Sequence, residues 1–242
     1  KESEEQGNRP AVGFDRYDIL IFGNKMIKIE ERMKRIVLLC LLVMSVLPLK
    51  AQDMAAVFIA MPDEYVPQLE DAWRKDLVDL YRSNEKARLK NNMNGYSTLE
   101  KLTDNYLLLQ STERTTIEMK LLPLVNNTFV ICQVVTVKGP VADSRVSFFS
   151  PDWKPLDATD MLTPVAADWF IREDADKSSV TYIESTSRLD MDLFRFQLSP
   201  DDYTLTQTYT TPEYLDKETQ KKLKPFLKDT PKVFTWKKYS FE

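Results

Sequence analysis

Histidine is absent from the 242-residue sequence. Without an imidazole there is no Ser–His triad, no Cys–His pair, no histidine metal ligand and no histidine general base. Glycine is scarce as well, with five residues, and none of them belongs to a phosphate-binding loop motif. These gaps exclude most familiar hydrolytic sites and predict no cofactor and no metal site, while chemistry based on carboxylates alone stays open.

Cysteine occurs twice, as Cys40 and Cys132. Cys40 lies in an apolar segment that we expect to be removed, so the mature protein keeps one thiol and forms no intramolecular disulfide. Cys132 lies in the apolar run 129–135, which is typical of a strand, and a free cysteine there is usually buried and unreactive. The fold must therefore depend on its apolar core.

Basic residues are slightly outnumbered by acidic ones, 33 to 37, which gives a net charge of −4. We interpret one short basic group as the exposed surface of a helix in an acidic protein; it consists of Lys221, Lys222 and Lys224. The composition therefore predicts no binding of nucleic acid and no attraction to an anionic membrane.

Residues 33–51 have the pattern of a cleavable secretory signal. Residues 33–35 form a basic start, residues 36–47 are uncharged and apolar, and Ala51 is the small residue before the cleavage site. A membrane-spanning helix needs about 20 apolar residues, so this run is too short. The pattern predicts an exported protein of the periplasm or outer surface, with no membrane span in the mature chain.

The signal pattern also divides the chain. Residues 1–32 are polar and precede a segment that belongs at an N-terminus, so we interpret them as an upstream extension, with translation starting at Met33. The mature domain is then 52–242, a length that suits one α+β domain or two related halves, 52–172 and 178–242, that share a core.

Hydrophobic periodicity predicts two N-terminal helices. One or two helical turns are expected at 54–61, and a longer amphipathic helix is expected to start at Pro67 and to end near 91–95. Polar residues at 172–177 mark the boundary between the two halves.

Strands are predicted from residue 99 to residue 149 and again at 232–241. Residues 115–121 alternate between apolar and polar, which predicts one buried face and one wet face. Because the connections are short, neighbouring strands should pair in antiparallel fashion. The expected class is α+β, built on an antiparallel sheet meander with short helices after turns.

A short motif occurs twice in the second part of the chain. Ser150-Pro151-Asp152 recurs as Ser199-Pro200-Asp201, each after a strand-like run and each before a Thr-Pro pair that can start a helix. The repetition is either a structural duplication or ordinary type I turn chemistry, which favours Pro at its first central position. In both cases short helices are expected at 165–170 and 212–223.

The two turns place carboxylates beside aromatic rings and provide the candidate ligand-binding residues. They are Asp152 and Trp153 in the first turn, and Asp201, Asp202 and Tyr203 in the second. These groups could stack on a sugar and bond its hydroxyls, or the rings could instead pack back onto the core. No catalytic residue is assigned.

Other acidic residues carry weaker signals. Asp190 and Asp192 would share one face of a strand, as paired catalytic carboxylates or as a solubilising surface. Residues 174–185 begin like a calcium loop, but Ser179 and Ser185 stand where that loop needs Gly and Glu. A solvated loop is the better interpretation of this segment.

Several short segments resemble a known group of proteins. They are the ending Ala51-Gln52, the opening 54–62, the turn 150–156 and the closing Phe234-Thr235-Trp236. Together they resemble uncharacterised exported proteins of Bacteroides-type bacteria, a domain-of-unknown-function family, over most of residues 33–242. The resemblance implies the periplasm or outer surface of a Gram-negative cell, and it implies no catalytic residues.

Three functions follow as hypotheses. The first is a non-enzymatic envelope module that binds a partner protein or a glycan. The second is a carboxylate-based hydrolase of envelope polysaccharide, which needs two carboxyl groups about 5–10 Å apart with one in an apolar setting. The third is a structural subunit that oligomerises through an edge strand such as 232–241.

The signal pattern makes a prediction about the protein in cells. We expect the precursor to start at Met33 and the protein of the envelope fraction to start at Gln52, as measured by N-terminal sequencing and intact mass. A charge placed in the apolar run, Leu41→Arg, should leave the precursor uncleaved in the cytoplasm. Full-length material starting at Lys1 and resident in the cytoplasm would contradict both expectations.

Overall fold

The computed structural model of this protein describes residues 33–34 and 53–242. The chain divides into two compact units, Lys1–Lys50 and Ala51–Glu242. In the first unit only residues 33–34 are described, and both are helical and exposed. The predicted upstream extension and nearly all of the predicted signal segment therefore lie outside the described residues.

A seven-stranded antiparallel meander is the centre of the second unit. Its strands follow chain order across the sheet, so each strand pairs with its neighbours in sequence. The turns are tight: Glu113 and Arg114 alone join the third strand to the fourth, and Asn127 has a left-handed φ of 61° in the next turn. The strands are β1 (Arg88–Lys90), β2 (Tyr96–Leu102), β3 (Tyr106–Thr112), β4 (Thr115–Pro123), β5 (Phe129–Lys138), β6 (Ala142–Phe149) and β7 (Pro155–Leu156).

A second antiparallel sheet of four strands covers one face of the meander. Its strands are β8 (Phe194–Leu198), β9 (Thr204–Tyr209), β10 (Lys232–Lys237) and β11 (Ser240–Phe241), in the spatial order β11-β10-β9-β8. Strand β8 lies against β4, β5 and β6. The prediction of one strand over 232–241 is wrong, because Lys238 has a left-handed φ of 59° and turns the chain back into a hairpin.

Short α-helices complete the described fold. They are α1 (Met54–Ile59), α2 (Asp71–Arg82), α3 (Val180–Thr186), α4 (Thr211–Tyr214) and α5 (Lys217–Leu223). Single 3₁₀ turns lie at Asp63–Tyr65, Ala158–Asp160, Ala167–Phe170 and Lys224–Phe226. The predicted α+β class, with an antiparallel meander and an amphipathic N-terminal helix, is confirmed.

The boundaries of α2 differ from the prediction at both ends. The helix starts at Asp71 and not at Pro67, which lies in a turn. It ends at Arg82 because Asn84 adopts a left-handed φ of 56° and Glu85 N–H donates to Leu80 O at 3.0 Å, which is the Schellman arrangement. The residues that follow are therefore free to form strand β1 where further helix was predicted.

The later helices were also predicted only in part. The expected helix at 165–170 is reduced to the 3₁₀ turn Ala167–Phe170, and α3 was not predicted. The expected helix at 212–223 is two helices, because Leu215 has an extended backbone and the Asp216 side chain starts α5 by accepting from two N–H groups.

The core has two parts, one on each face of the meander. Helices α1 and α2 cover the first face, and the four-stranded sheet covers the second, so the middle strands are buried on both sides. The first part is centred on Met54, Phe58, Leu77, Leu107 and Met119, and the second on Val134, Phe148, Phe196, Leu205 and Trp236. The fold therefore has three layers, helices, meander and small sheet, with an apolar interface on each side of the meander.

The buried side chain of Arg74 links α2 to the end of α1 and to the segment between the two helices. Its side chain is 2 % exposed and donates to three backbone carbonyls, of Ile59, Met61 and Leu69, over distances of 2.5–3.3 Å. Its Nη1 also contacts Asp63 Oδ1 at 2.8 Å. Burying a guanidinium is costly unless its donors are satisfied. Here they are satisfied by carbonyls of the last residue of α1 and of the segment that joins α1 to α2.

Replacing Arg74 should therefore destabilise the fold strongly. We expect Arg74→Met to lower the free energy of unfolding by about 2–4 kcal/mol, because the carbonyls of Ile59, Met61 and Leu69 lose their donor and the last two of these hydrogen bonds are buried. Urea unfolding followed by circular dichroism measures this loss. Arg82→Met on the same helix is the matched control, and it should cost less than about 0.5 kcal/mol because Arg82 is exposed. Equal losses for the two variants would contradict this role of Arg74.

Candidate functional site

The outer edge of β6 can be traced from its hydrogen bonds. In the turn after β6, Ser150 N–H donates to Lys154 O at 3.0 Å, so the backbone groups of Ser150 point toward β7. Because the direction alternates along a strand, the N–H and C=O groups of all even-numbered residues of β6 point away from β5. Consistent with this direction, Ala142 O accepts a hydrogen bond from Thr210 Oγ1 at 2.7 Å.

Part of this edge is open. Phe148 pairs with Leu156 of β7, and the chain then leaves the edge because the Asp157 side chain accepts from Thr159 N–H and starts a 3₁₀ turn. Ser144 and Val146 come next along β6, and no hydrogen bond reaches their outward backbone groups within the described residues. Two N–H and two C=O groups are thus available at alternate residues.

A cleft of about 570 Å³ lies beside the open edge. Residues 143–149 of β6 line it, together with residues of β5, of β7, of the 3₁₀ turn after α1 and of the 3₁₀ turn after β7, which contributes Ala158. Its charged residues have both signs, so it does not favour a polyanion or a polycation. The apolar residues of the lining include Val135, Val137, Phe149 and Leu156, and the charged ones are Glu64, Asp143 and Arg145.

A second cleft, of about 510 Å³, lies at the other end of the meander. It is lined by three glutamates, Glu85, Glu100 and Glu113, and all three are exposed. Its Tyr96 ring is covered by Arg88, whose guanidinium carbon lies 4.1 Å from the ring centroid. This cleft brings carboxylates together, but it does not give them the apolar setting that a general acid needs.

The outward N–H groups of the edge strand β8 donate to side chains of the meander and not to a further strand. Its N–H groups point away from β9 at alternate residues, and each donates to a side-chain oxygen. The pairs are Phe194 with Asp143 Oδ1 at 3.2 Å, Phe196 with Ser144 Oγ at 3.0 Å and Leu198 with Glu118 Oε2 at 2.8 Å. These bonds hold the small sheet on the meander. The Leu198 N–H is buried, and a buried N–H without a partner costs about 1–3 kcal/mol.

Glu118 lies between the two sheets with 8 % of its surface exposed. Burial raises its pKa to about 7, although hydrogen bonds from Leu198 N–H and the Tyr106 hydroxyl and the charge of Arg195 act in the opposite direction. Burial, and then the charge of Glu118, raises the pKa of Tyr106 in turn. The predicted wet face of β4 is therefore wrong, because β8 covers it.

Lys120, the next residue on that face of β4, is 1 % exposed. Its Nζ donates to Pro200 O at 3.0 Å and lies 5.7 Å and 5.2 Å from the ring centroids of Tyr106 and Tyr203. Burial lowers the pKa of Lys120, and the charge of Asp202 opposes that shift. The lysine thus links the meander to the turn between β8 and β9.

The first predicted ligand-binding turn does not present its ring to solvent. Trp153 has a φ of 62° and is 5 % exposed, and its Nε1–H donates to Val57 O at 3.2 Å. Asp152 is exposed and contacts Lys154 at 2.6 Å and Ser150 Oγ at 2.5 Å, and these hydrogen bonds lower its pKa to about 2. The ring thus packs on the core, while the carboxylate remains accessible.

The second predicted turn lies on the other sheet. Asp201 and Asp202 are exposed, and Asp202 accepts from Thr204 N–H at 3.0 Å. The half-buried Tyr203 accepts from Asn105 Nδ2 at 3.3 Å and stacks under Lys120. The structure brings these three residues together beside Lys120, and no hydrogen bond or ion pair within residues 53–242 joins them to the first turn.

The two Ser-Pro-Asp turns also differ in length. Five residues, 150–154, separate the paired residues Phe149 and Pro155, whereas six, 199–204, separate Leu198 and Leu205. The local motif is therefore shared while the hairpins are not superimposable residue by residue.

The remaining acidic candidates are dispersed. Asp190 and Asp192 precede β8 in an irregular segment, so the expectation that they share a strand face is wrong. Asp176 accepts from Ser178 N–H at 3.0 Å within a turn before α3. No group of three or more Cys, Asp or Glu side chains that could hold a metal ion occurs in the described part of the chain.

Residues 46–241 match a family described as "Protein of unknown function (DUF3256)". The chain belongs to this family. Its fold is also similar to a solved structure described as a domain of an uncharacterised protein from Porphyromonas gingivalis W83, with 28 % identity, a TM-score of 0.70 and coverage of 77 % of this chain and 96 % of that chain. No curated protein matches the sequence. The predicted resemblance to a family of unknown function is confirmed at this level, and export stays a prediction for this DUF3256 protein.

The buried carboxyl of Glu118 predicts a pH-dependent stability. Because the pKa of the folded state, about 7, lies above the ordinary 4.5, the folded state keeps a proton that the unfolded state loses. The free energy of unfolding should therefore fall by about 2–3 kcal/mol as the pH rises from 4.5 to 7.5. Glu118→Gln should remove this slope, as measured by urea unfolding at several pH values.

Glu113→Gln is the matched control for that experiment, because Glu113 is exposed in a turn. The control should keep the full pH dependence of the parent protein. An unchanged slope in Glu118→Gln would show that another group is responsible.

Proposed function

We propose that this protein is an exported, non-enzymatic binding module of the cell envelope, which holds a segment of a partner protein in the cleft beside β6. Export rests on the secretory pattern of residues 33–51. In the described part of the chain, no helix combines the length and apolar character required to cross a membrane.

One observation carries the binding proposal, namely an apolar cleft next to an unpaired strand edge. Ligand sites are typically concave and mostly apolar, with a few polar groups that fix orientation. The cleft beside β6 has this composition, and its polar groups include the outward backbone groups of Ser144 and Val146.

A polypeptide suits this site better than a glycan does. Sugar sites usually present an accessible aromatic face. Of the three rings that line this cleft, Phe148 and Phe149 are buried, and the half-buried Tyr65 packs on Phe149 and on Trp153. Apolar side chains such as Val135 and Val137 instead match the apolar side chains of a peptide.

A peptide selection tests this function. The exported protein, purified from the envelope fraction, is used to select from a displayed library of random heptapeptides, and the affinity of enriched peptides is measured by fluorescence polarisation. Val137→Arg should weaken binding at least tenfold, because Val137 is 51 % exposed and lines the cleft.

Val125→Arg is the matched control, since Val125 is 82 % exposed in the β4–β5 turn and does not line the cleft. It should bind as the parent protein does. Envelope polysaccharide and peptidoglycan fragments form a second arm of the experiment. Failure to enrich peptides, or release of reducing ends from those polymers, would overturn the proposal.

A further inference from the structure

The open edge of β6 specifies more than a general binding site. Building on the proposed function, we infer that the partner segment adds to the meander as a short antiparallel strand beside β6, in line with β7. The occupant is thus an extended polypeptide that the protein recognises mainly through backbone hydrogen bonds.

Hydrogen-bond geometry carries this inference. Ser144 and Val146 offer an N–H and a C=O each, at alternate residues, which is the pattern that one more antiparallel strand satisfies. Strand β7 already makes this pairing at Phe148 and Leu156 and then stops, because the Asp157 cap directs the chain into a 3₁₀ turn. The partner would take the places that continued β7 residues would have filled.

The surroundings of the edge agree with an extended chain. A strand directs alternate side chains to opposite faces, so every second side chain of the partner would enter the cleft beside Val135 and Val137. Because the cleft carries both signs of charge, a neutral segment fits it better than a highly charged polymer does.

Other edges and clefts within residues 53–242 offer less. On the outer edge of β10, Thr235 exchanges two backbone hydrogen bonds with Glu242. Val233 is then the one residue of this edge whose outward backbone groups have no strand beside them. The edge of β8 is occupied by side chains of the meander. The second cleft presents three exposed glutamates and lies beside β1, the edge strand at the other end of the meander. The outward residues there are Arg88 and Lys90, and Arg88 N–H already donates to Lys86 O at 2.8 Å, which leaves the N–H of Lys90 without a neighbour that continues the sheet.

Backbone substitution in the selected peptide tests the inference without altering the protein. Each amide of a bound heptapeptide is methylated in turn, and affinity is measured by fluorescence polarisation. We expect at least a tenfold loss at two positions separated by one residue, whose N–H groups face the carbonyls of Ser144 and Val146, and less than a threefold change at the position between them and at the other positions. Losses that follow side-chain identity with no such spacing would overturn strand addition and leave the proposed binding function intact.

A variant pair supplies the complementary measurement. Val146→Pro removes the outward N–H of this residue and leaves the hydrogen bonds between β6 and β5 in place. Val146→Ala keeps the N–H. We expect Val146→Pro to bind the peptide at least tenfold more weakly than Val146→Ala, with thermal melting checking that both variants are folded. Equal affinities in two folded variants would overturn the inference, and an absence of any selected peptide would overturn it together with the proposed function.

Discussion

The fold depends on how the edge of β8 is satisfied. A strand at the edge of a sheet exposes unpaired N–H groups, and β8 crosses the meander with its edge turned toward the protein interior. Side-chain oxygens of Asp143, Ser144 and Glu118 accept those N–H groups. The same contacts fix the position of the small sheet, bury Glu118 and cover the middle strands on their second face.

The sequence was sufficient for the class and much of the architecture. Short turns and apolar runs between residues 99 and 149 predicted the antiparallel meander, because local connections leave little choice of pairing. It was not sufficient for contacts between layers. In β4, Glu118 and Lys120 alternate with apolar neighbours. This pattern is expected both for a solvent-exposed face and for a face covered by a second sheet, and the position of β8 decides between the two.

Helix ends were mispredicted for a related reason. Asn84 ends α2 in a left-handed conformation. The asparagines and glycine of segment 91–95 carry the same composition signal, so the sequence does not choose between the two ends. The candidate site was missed altogether, because an open strand edge is a property of backbone pairing and leaves no motif. Proline, glycine and charge patterns report local geometry, whereas the cleft arises where β7 stops short of covering β6.

The stretch of β6 that remains uncovered has two fixed boundaries. At one end the turn after β6 is anchored by the indole of Trp153, which bonds Val57 and packs on Tyr65 and Phe149. At the other end Thr210 occupies the carbonyl of Ala142. Together they limit the length of the partner strand to about three residues, of which two can hydrogen-bond to Ser144 and Val146, so a chain terminus or a short extended loop fits this gap and a long regular strand does not.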